Sequence, residues 1–514
     1  MRTSLTFLFQ CCVHMKPKLN TTSKFGGTPL SAAPDSFTSN RFYHTVWRWH
    51  FYAGLFVIPF MLILSATGII YLFKPQLDAW MYTDRLFVQP AGIVLPYSQQ
   101  LEAAQQAYPD ATVTKFAPSI AADRTAEVSV TTADKRSVTV FVNPHTGQVL
   151  GDRDEENNLQ SIARKIHGEL MIGKAGDYLV ELAACWGLVL LMSGLYLWWP
   201  RQQFSIFGTF IPRLWSKNKR VFWRDLHAVP GFYGVLLVSF LILTGLPWSG
   251  FWGETFAQVW NRFPPLWSEA PQSTVLTKSL NQNGSHTVPW AVEQMPMPQS
   301  MPLSTSQSTQ TEASSSSHSH HHSGNMTMTP IEGIPNGTPI NLDSVIALAL
   351  SRNAPIGFSV SLPADKTGVY TVSAFPNNPM QEMTMHVDQY SGKVLADIRW
   401  QDYGFVPKAV EMGSAIHMGR YFGLGNQLLM LSACLILIIL CVSGVVMWWQ
   451  RRPKGSGWLS APPFPPHVQH WQIPLAIVAV LGLVFPLVGL SLVGVLLLDY
   501  FVLSRIPALK RILG

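Results

Sequence analysis

Five long apolar blocks limit what this chain can fold into more than any other feature of its sequence. The blocks lie at residues 51–73, 178–199, 231–251, 427–449 and 471–503. A bilayer core ~30 Å thick requires ~20 apolar residues in a helix, so each of the first four blocks predicts one transmembrane span. The fifth block is longer than one crossing. It contains Pro486 and Gly489, which predict either one long kinked helix or a short re-entrant pair.

Basic residues cluster in two of the short connections between these blocks. They are Arg201, Arg213, Lys217, Lys219, Arg220 and Arg224 in one connection, and Arg451, Arg452 and Lys454 in the other. The positive-inside rule places both connections and the N-terminus in the cytoplasm, and the loops 74–177 and 252–426 outside. The formal charge of +7 is therefore mainly a topology signal. No basic patch interleaved with aromatic residues predicts a nucleic-acid partner.

The spans repeat as two matched sets of residues. His50 is followed by Gly54, Thr67 and Gly68, and His227 is followed at the same offsets by Gly231, Thr244 and Gly245. His167 precedes Ser193, Gly194, Trp198 and Trp199, and His417 precedes Ser443, Gly444, Trp448 and Trp449, again at the same offsets. Two matched sets indicate an internal duplication.

The two outer loops repeat as well. Residues 142–152 align with 387–397 as strand, glycine turn and strand, and helix-like stretches at 98–108 and 342–352 precede them. The sequence therefore predicts a mainly α-helical integral membrane protein with a duplicated unit of span, small α+β external domain and span, followed by the C-terminal segment. The predicted boundaries are a cytoplasmic tail at 1–40, spans at 41–74, 166–200, 225–253 and 413–450, external domains at 75–165 and 336–412, a linker at 254–335, cytoplasmic loops at 201–224 and 451–470, and the C-terminal membrane segment at 471–504.

The predicted linker is rich in Ser, Thr, Pro, Gln, Met and His between about residues 270 and 335. Such a composition buries little apolar surface, so we expect a disordered segment. Its His and Met residues are also ligands for soft and borderline metals, and a weak metal-gathering role for copper, nickel or zinc is the alternative. The residues concerned are His318, His320, His321 and His322, with Met295, Met297, Met301, Met326 and Met328.

Four histidines at span ends carry the functional hypothesis. His50 and His227 fall at the cytoplasmic ends of their spans, whereas His167 and His417 fall at the external ends. A rise of ~1.5 Å per residue separates the two levels by roughly 25 Å, so they cannot share one ligand. Imidazoles on facing helices are common axial ligands of haem iron. The pattern predicts two bis-histidine b-type haems, with Gly54 and Gly231 leaving room for a flat macrocycle.

Other interpretations of these histidines remain open. An interfacial histidine is often an amphipathic anchor, and a proton relay would require acidic partners inside the spans. A tetrahedral zinc site would require cysteines at the histidine level, where the spacing does not place Cys185, Cys434 or Cys441. The remaining histidines are weaker candidates or expected surface residues: His44, His145, His386, His467 and His470.

The motifs quoted above resemble the PepSY-associated transmembrane family of bacterial inner membranes. The resemblance rests on residues 47–55 with Thr67 and Gly68, on the paired span ends 193–201 and 443–451, and on the repeated Gly-x-Val-Leu of the loops. That family includes periplasmic ferric-siderophore reductases and iron-regulated membrane proteins that carry haem in their spans. The resemblance implies that His50, His167, His227 and His417 match the family's histidine positions.

Taken together, these features predict an inner-membrane oxidoreductase with two haems b that passes electrons to a periplasmic acceptor such as a ferric siderophore or another metal chelate. No Gly-x-Gly-x-x-Gly motif follows a strand, so we expect the donor to be a quinol or a cytoplasmic reductase. No catalytic residue is predicted. The alternatives are a membrane-anchored binding or sensing module without redox activity, and a metal or siderophore permease; the lack of central charges in the spans disfavours the permease.

Overall fold

The computed structural model describes residues 35–201, 205–260, 272–284, 287–302, 333–452, 472–501 and 505. The chain divides into two compact units. A helical unit comprises the described residues up to 68, 166–252 and those from 431 onward, and a sheet unit comprises 69–165 and 253–430.

The elements, in chain order, are α1 (Asp35–Leu72), α2 (Lys74–Met81), α3 (Thr83–Leu86), α4 (Tyr97–Ala107), β1 (Thr112–Ala117), β2 (Ala126–Thr131), β3 (Ser137–Val142), β4 (Val149–Asp154), α5 (Leu159–Glu169), α6 (Lys174–Trp198), α7 (Lys219–Gly245), α8 (Trp252–Trp260), β5 (Gln272–Leu276), β6 (Pro296–Pro298), α9 (Leu342–Ser351), β7 (Ser359–Ser361), β8 (Val369–Ala374), β9 (Met383–Asp388), β10 (Val394–Arg399), α10 (Phe405–His417), α11 (Gly423–Arg451), α12 (Gln472–Val484) and α13 (Pro486–Phe501).

The four predicted spans are confirmed as helices long and apolar enough to cross a membrane. These helical stretches are Phe42–Leu72, Lys174–Trp198, Lys219–Trp248 and Gly423–Arg451. Small residues let them pack closely. A Cβ atom on Gly187 of α6 would lie 3.1 Å from Ile242 Cδ1 of α7, and one on Gly234 of α7 would lie 2.6 Å from Ile436 Cγ2 of α11.

The C-terminal apolar block forms two short helices rather than one kinked helix. The chain reverses at Phe485 between α12 and α13, and a Cβ atom on Gly482 would lie 3.2 Å from the Cα atom of Gly489. Helix α13 packs against α6, where the Trp186 Nε1–H group donates to Ser491 Oγ at 3.2 Å. Of the two sequence-based alternatives, the paired helices are the one that the chain adopts.

The sheet unit holds one eight-stranded sheet in the order β10-β9-β8-β7-β1-β2-β3-β4. Each half consists of a helix, α4 or α9, followed by four antiparallel strands, and both helices contribute to the apolar core on one face. The halves join where β1 pairs antiparallel with β7, with Phe116 opposite Val360. The sequence predicted one separate domain per loop. Pairing of the two edge strands joins them, because an unpaired strand edge leaves backbone groups without partners.

Part of the predicted linker is ordered, so the prediction of a disordered segment is wrong for residues 287–300. Val288, Ala291, Val292 and Met295 are buried in a cluster with residues of β10, including Ile398. The composition of the whole linker is dominated by the Ser- and His-rich stretch that follows these apolar residues. The overall composition therefore does not indicate that this short segment can bury a core. The predicted metal-gathering residues His318, His320, His321 and His322 lie outside the described residues.

His386 was expected at the surface but lies in β9 with no exposed area. Its Nδ1 atom is 3.0 Å from the Thr371 hydroxyl on β8. The ordered linker segment packs on the same half of the sheet, against Ala396, which pairs with His386 across β10 and β9. Burial lowers the pKa of His386 to about 4.

Candidate functional site

Two of the four predicted histidines meet inside the helical unit. His50 lies on α1 and His227 lies on α7, and their ring centres are 6.4 Å apart. The ring planes are nearly perpendicular, at 88°. The sequence predicted this pair from the repeat, and the structure brings the two rings together.

Serine hydroxyls fix the orientation of both rings. His50 Nδ1 lies 2.9 Å from Ser193 Oγ, and His227 Nδ1 lies 3.0 Å from Ser443 Oγ. Each serine donates its own hydrogen to a carbonyl of its helix, at Leu190 for Ser193 and Ile439 for Ser443. In this arrangement each hydroxyl oxygen is placed to accept from an Nδ1–H group. In a neutral ring that carries its hydrogen on Nδ1, the Nε2 lone pair is the one suited to a metal.

The neighbouring glycines leave room for the rings. A Cβ atom on Gly194 would lie 3.2 Å from His50 Cε1, and one on Gly444 would lie 3.6 Å from His227 Cε1. Each of the two Ser-Gly dipeptides, Ser193-Gly194 and Ser443-Gly444, therefore positions one imidazole. The serine contacts its Nδ1 atom and the glycine leaves space for the ring. The sequence analysis found these dipeptides only through their fixed spacing from His167 and His417, and did not predict that they contact His50 and His227. The conserved offset between the copies was the signal that could have assigned them.

The room that Gly54 and Gly231 are predicted to leave for a flat macrocycle stays a prediction. Their Cβ positions face leucines of neighbouring helices, at 4.0 Å from Leu190 and 3.3 Å from Leu440. They allow close helix packing beside the histidine pair.

His167 is held by the same arrangement at the other end of α1. Its Nδ1 atom lies 3.1 Å from Thr67 Oγ1, and that hydroxyl donates to the Ile63 carbonyl at 2.7 Å. A Cβ atom on Gly68 would lie 3.4 Å from His167 Cε1. Because Thr67 follows His50 by 17 residues on one helix, the ~1.5 Å rise per residue separates the two levels by roughly 25 Å.

His417 ends α10 in the sheet unit. The turn after it requires glycine, since Gly419 has φ of +71° and a Cβ atom there would overlap Leu72. Asn426 donates to the Ile416 carbonyl at 2.8 Å, and Gln427 donates to the Leu72 carbonyl at 3.0 Å. The Asn426 bond fixes the backbone next to His417. The pairing of His417 with His167 remains a prediction, and the repeat predicts Thr244 as its hydroxyl partner.

Cys434 lies nearer to the histidines than its spacing suggested. The Cβ position of Gly68 is 3.9 Å from Cys434 Sγ as well as close to His167. Helix α5, which carries His167, is followed by Leu170 and Met171, both with positive φ, and His167 contacts Thr67 on α1. Within the described part of the chain, no group of three or more His, Cys, Asp or Glu residues is arranged to hold a metal ion.

Basic residues surround the end of the helical unit that holds His50 and His227. The Arg451 guanidinium lies 5.0 Å from the Trp47 ring centre, and the Arg201 guanidinium lies 4.6 Å from the Tyr43 ring centre. Buried Asp225 accepts from Arg213 at 2.7 Å and from Arg224 at 2.8 Å. Lys454, His467 and His470 lie outside the described residues.

Comparison with protein families gives a match over most of the chain. The family model described as the PepSY-associated TM region matches residues 47–451. This range includes all four histidines. No curated protein matches the chain.

Proposed function

Because the chain belongs to the PepSY-associated transmembrane family, we propose that it is a haem-containing oxidoreductase of the bacterial inner membrane. It passes single electrons from a quinol or a cytoplasmic reductase to an acceptor outside, such as a ferric siderophore or another metal chelate. Its basic loops and N-terminus lie in the cytoplasm. His50 and His227 hold the inner haem b, and His167 and His417 hold the outer one.

The geometry of the inner histidine pair is the observation that carries this proposal. A metal–imidazole bond is ~2 Å long and each ring centre lies roughly 1 Å behind its bonding nitrogen, so two imidazoles that held one iron would have ring centres up to about 6 Å apart. The separation of 6.4 Å between His50 and His227 agrees with that spacing. An interfacial anchor requires neither this distance nor a serine on each Nδ1 atom.

A haem bound at such a pair accepts and releases one electron without leaving its ligands. The protein's part is to hold and orient the two imidazoles. Ser193 and Ser443 hold each ring through Nδ1, which makes the opposite nitrogen a better electron donor. The pair lies among the apolar helices of this unit. Thr67 repeats this arrangement for His167 near the other end of α1.

An optical spectrum of the detergent-solubilised chain tests the proposal. With haem supplied during expression, we expect a Soret band, a sharp α band on dithionite reduction, and two haems b per chain by pyridine haemochrome assay. Protein that folds but shows no haem absorbance under these conditions would contradict the proposal.

The serine contacts predict unequal shifts in the potential of the inner haem. Ser193→Ala should raise its midpoint potential, because an imidazole that loses an Nδ1–H hydrogen bond stabilises ferric iron less well. Ser443→Ala should raise it less, since His227 Nδ1 also donates to the Leu440 carbonyl at 3.1 Å. Spectroelectrochemical titration measures both values. Ser491→Ala, which removes a serine bonded to Trp186 instead of a histidine, should cause no shift. Equal shifts for the two histidine-bound serines would refute this assignment.

A further inference from the structure

Two glutamates, Glu382 and Glu411, meet in the interior of the sheet unit and are called the glutamate pair below. Glu382 directly precedes β9 and Glu411 lies on α10, and their exposed fractions are 1% and 0%. Neither Glu382 oxygen has a hydrogen-bond donor among the described residues. The Glu411 carboxyl is nevertheless within hydrogen-bonding reach of Glu382. Because an ionised carboxylate only accepts hydrogen bonds, the two groups can bond to each other only when one of them carries a proton.

The glutamate pair lies where three parts of the second half of the sheet unit pack together. One Glu411 oxygen accepts from the Ala291 N–H group at 3.1 Å, and this bond ties α10 to the ordered linker segment 287–300. The other Glu411 oxygen has no donor in the described part of the chain. Glu382 adds the start of β9 to the same contact. Helix α10 ends at His417, six residues after Glu411, so the pair sits on the helix that carries one of the four predicted histidines.

One guanidinium group faces the glutamate pair. Arg420 acts electrostatically on both carboxyls, and its buried Nε and Nη2 atoms have no acceptor among the described residues. Its Nη1 atom donates to the Phe375 carbonyl at 3.4 Å. Two carboxylates beside one guanidinium leave one negative charge in excess. A single proton on the pair removes that charge and supplies the missing hydrogen-bond donor.

The other ionisable groups nearby do not remove the excess charge. Those that act on the pair, on Arg420 or on one another are Glu293, Tyr403, Asp402 and Tyr71. Lys278 faces Glu293, and Lys408 of α10 donates to the Gln401 carbonyl at 3.3 Å. Burial raises the pKa of both carboxyls of the pair. The Glu411 charge adds to the rise at Glu382 and the Glu293 charge to that at Glu411, while Arg420 opposes both.

From this arrangement we infer that the glutamate pair is a binding site for one proton, and that release of the proton loosens the packing of the ordered linker segment on α10. With the proton bound, one carboxyl is neutral and one carboxylate faces Arg420. Its release leaves a second buried negative charge without a partner, which a protein interior tolerates poorly. A proton occupies no cavity, so it can bind at oxygens that are fully buried. The inference concerns a response to pH and holds whether or not haem is bound.

Alkaline conditions are expected to open this contact. A carboxyl that binds its proton more tightly in the closed structure than in the opened one stabilises the closed structure at low pH. This stabilisation is complete below the ordinary carboxyl pKa of ~4.3 and is lost as the pH rises through the raised pKa. While the closed structure holds one proton more than the opened one, the ratio of opened to closed molecules rises about tenfold per pH unit.

Infrared spectroscopy detects the proton through the C=O stretching band of a protonated carboxyl. In the full-length solubilised protein at about pH 6, we expect such a band, and it should weaken as the pH is raised to about 9. Glu382→Gln and Glu411→Gln should each abolish it, because the single remaining carboxylate faces Arg420 and ionises. Difference spectra between variant and parent separate this band from those of other carboxyls. Glu102→Gln is the matched control, since Glu102 lies exposed on α4 of the same unit, and it should keep the band.

Hydrogen exchange at the Ala291 amide measures the opening. After correction for the intrinsic exchange rate, exchange should accelerate about tenfold per pH unit in the parent protein and in Glu102→Gln. Glu382→Gln should remove this dependence, since no proton is left to release. A parent protein without the infrared band at about pH 6, or a band that persists in both pair variants, would overturn the proton site. Exchange at Ala291 that does not respond to pH would overturn the loosening, and none of these outcomes bears on the haem proposal.

Discussion

Replacing His50 with alanine is expected to lower the haem content from two to one per chain and to slow electron transfer to an external acceptor at least ~100-fold. The estimate is a lower bound, because even loss of a group that only orients a metal ligand costs ~10–100-fold in affinity or activity. Without His50, only His227 of the inner pair would remain to hold the haem; in the parent protein the two ring centres lie 6.4 Å apart. Pyridine haemochrome analysis and stopped-flow oxidation of the reduced protein measure the two effects.

His44→Ala is the matched control for this substitution. His44 lies on α1 six residues before His50, roughly 240° away around the helix, so it cannot readily face the same ligand. It should keep both haems. A His50→Ala protein that retains two haems, or a His44→Ala protein that loses one, would contradict the assignment of the inner pair.

The spans were predictable because hydropathy is a local property. Any helix that crosses a bilayer must be apolar over ~20 residues, whatever its neighbours are. The histidine pair His50 and His227 was also predictable, since duplication placed the two residues at equivalent positions. The repeat identifies the residues that correspond between the two copies. When two such residues lie on facing helices, they lie at the same depth in the helical unit.

Contacts between residues that do not correspond were not predictable in this way. Ser193 follows His167 in sequence but holds His50, because α6 runs across the unit and ends beside the opposite histidine level. The pairing of β1 with β7 was missed for a similar reason, since a strand pattern shows which face is buried but not which edge is paired. The prediction of disorder from composition was wrong around Trp290, because a few apolar residues within a polar stretch form a buried local core there.

Replacing His417 with alanine is expected to remove the outer haem and spare the inner one. Reduction of the protein by its donor can then be measured separately from its oxidation by the external acceptor. A quinol or reductase should still reduce the remaining haem, because His50 and His227 are untouched. Oxidation by an external ferric chelate should slow at least ~100-fold, since the electron then stops roughly 25 Å short of the external level.

Thr244→Ala provides the graded comparison for His417→Ala. The repeat makes Thr244 the counterpart of Thr67, whose hydroxyl lies 3.1 Å from His167 Nδ1. Loss of a hydroxyl that orients a ligand should keep both haems and raise the potential of the outer one only. Rapid-scan spectra during turnover distinguish the two variants. If His417→Ala retained two haems, the outer pair would be misassigned. If Thr244→Ala shifted the inner haem instead, the two levels would not be independent, contrary to the ~25 Å that α1 places between them.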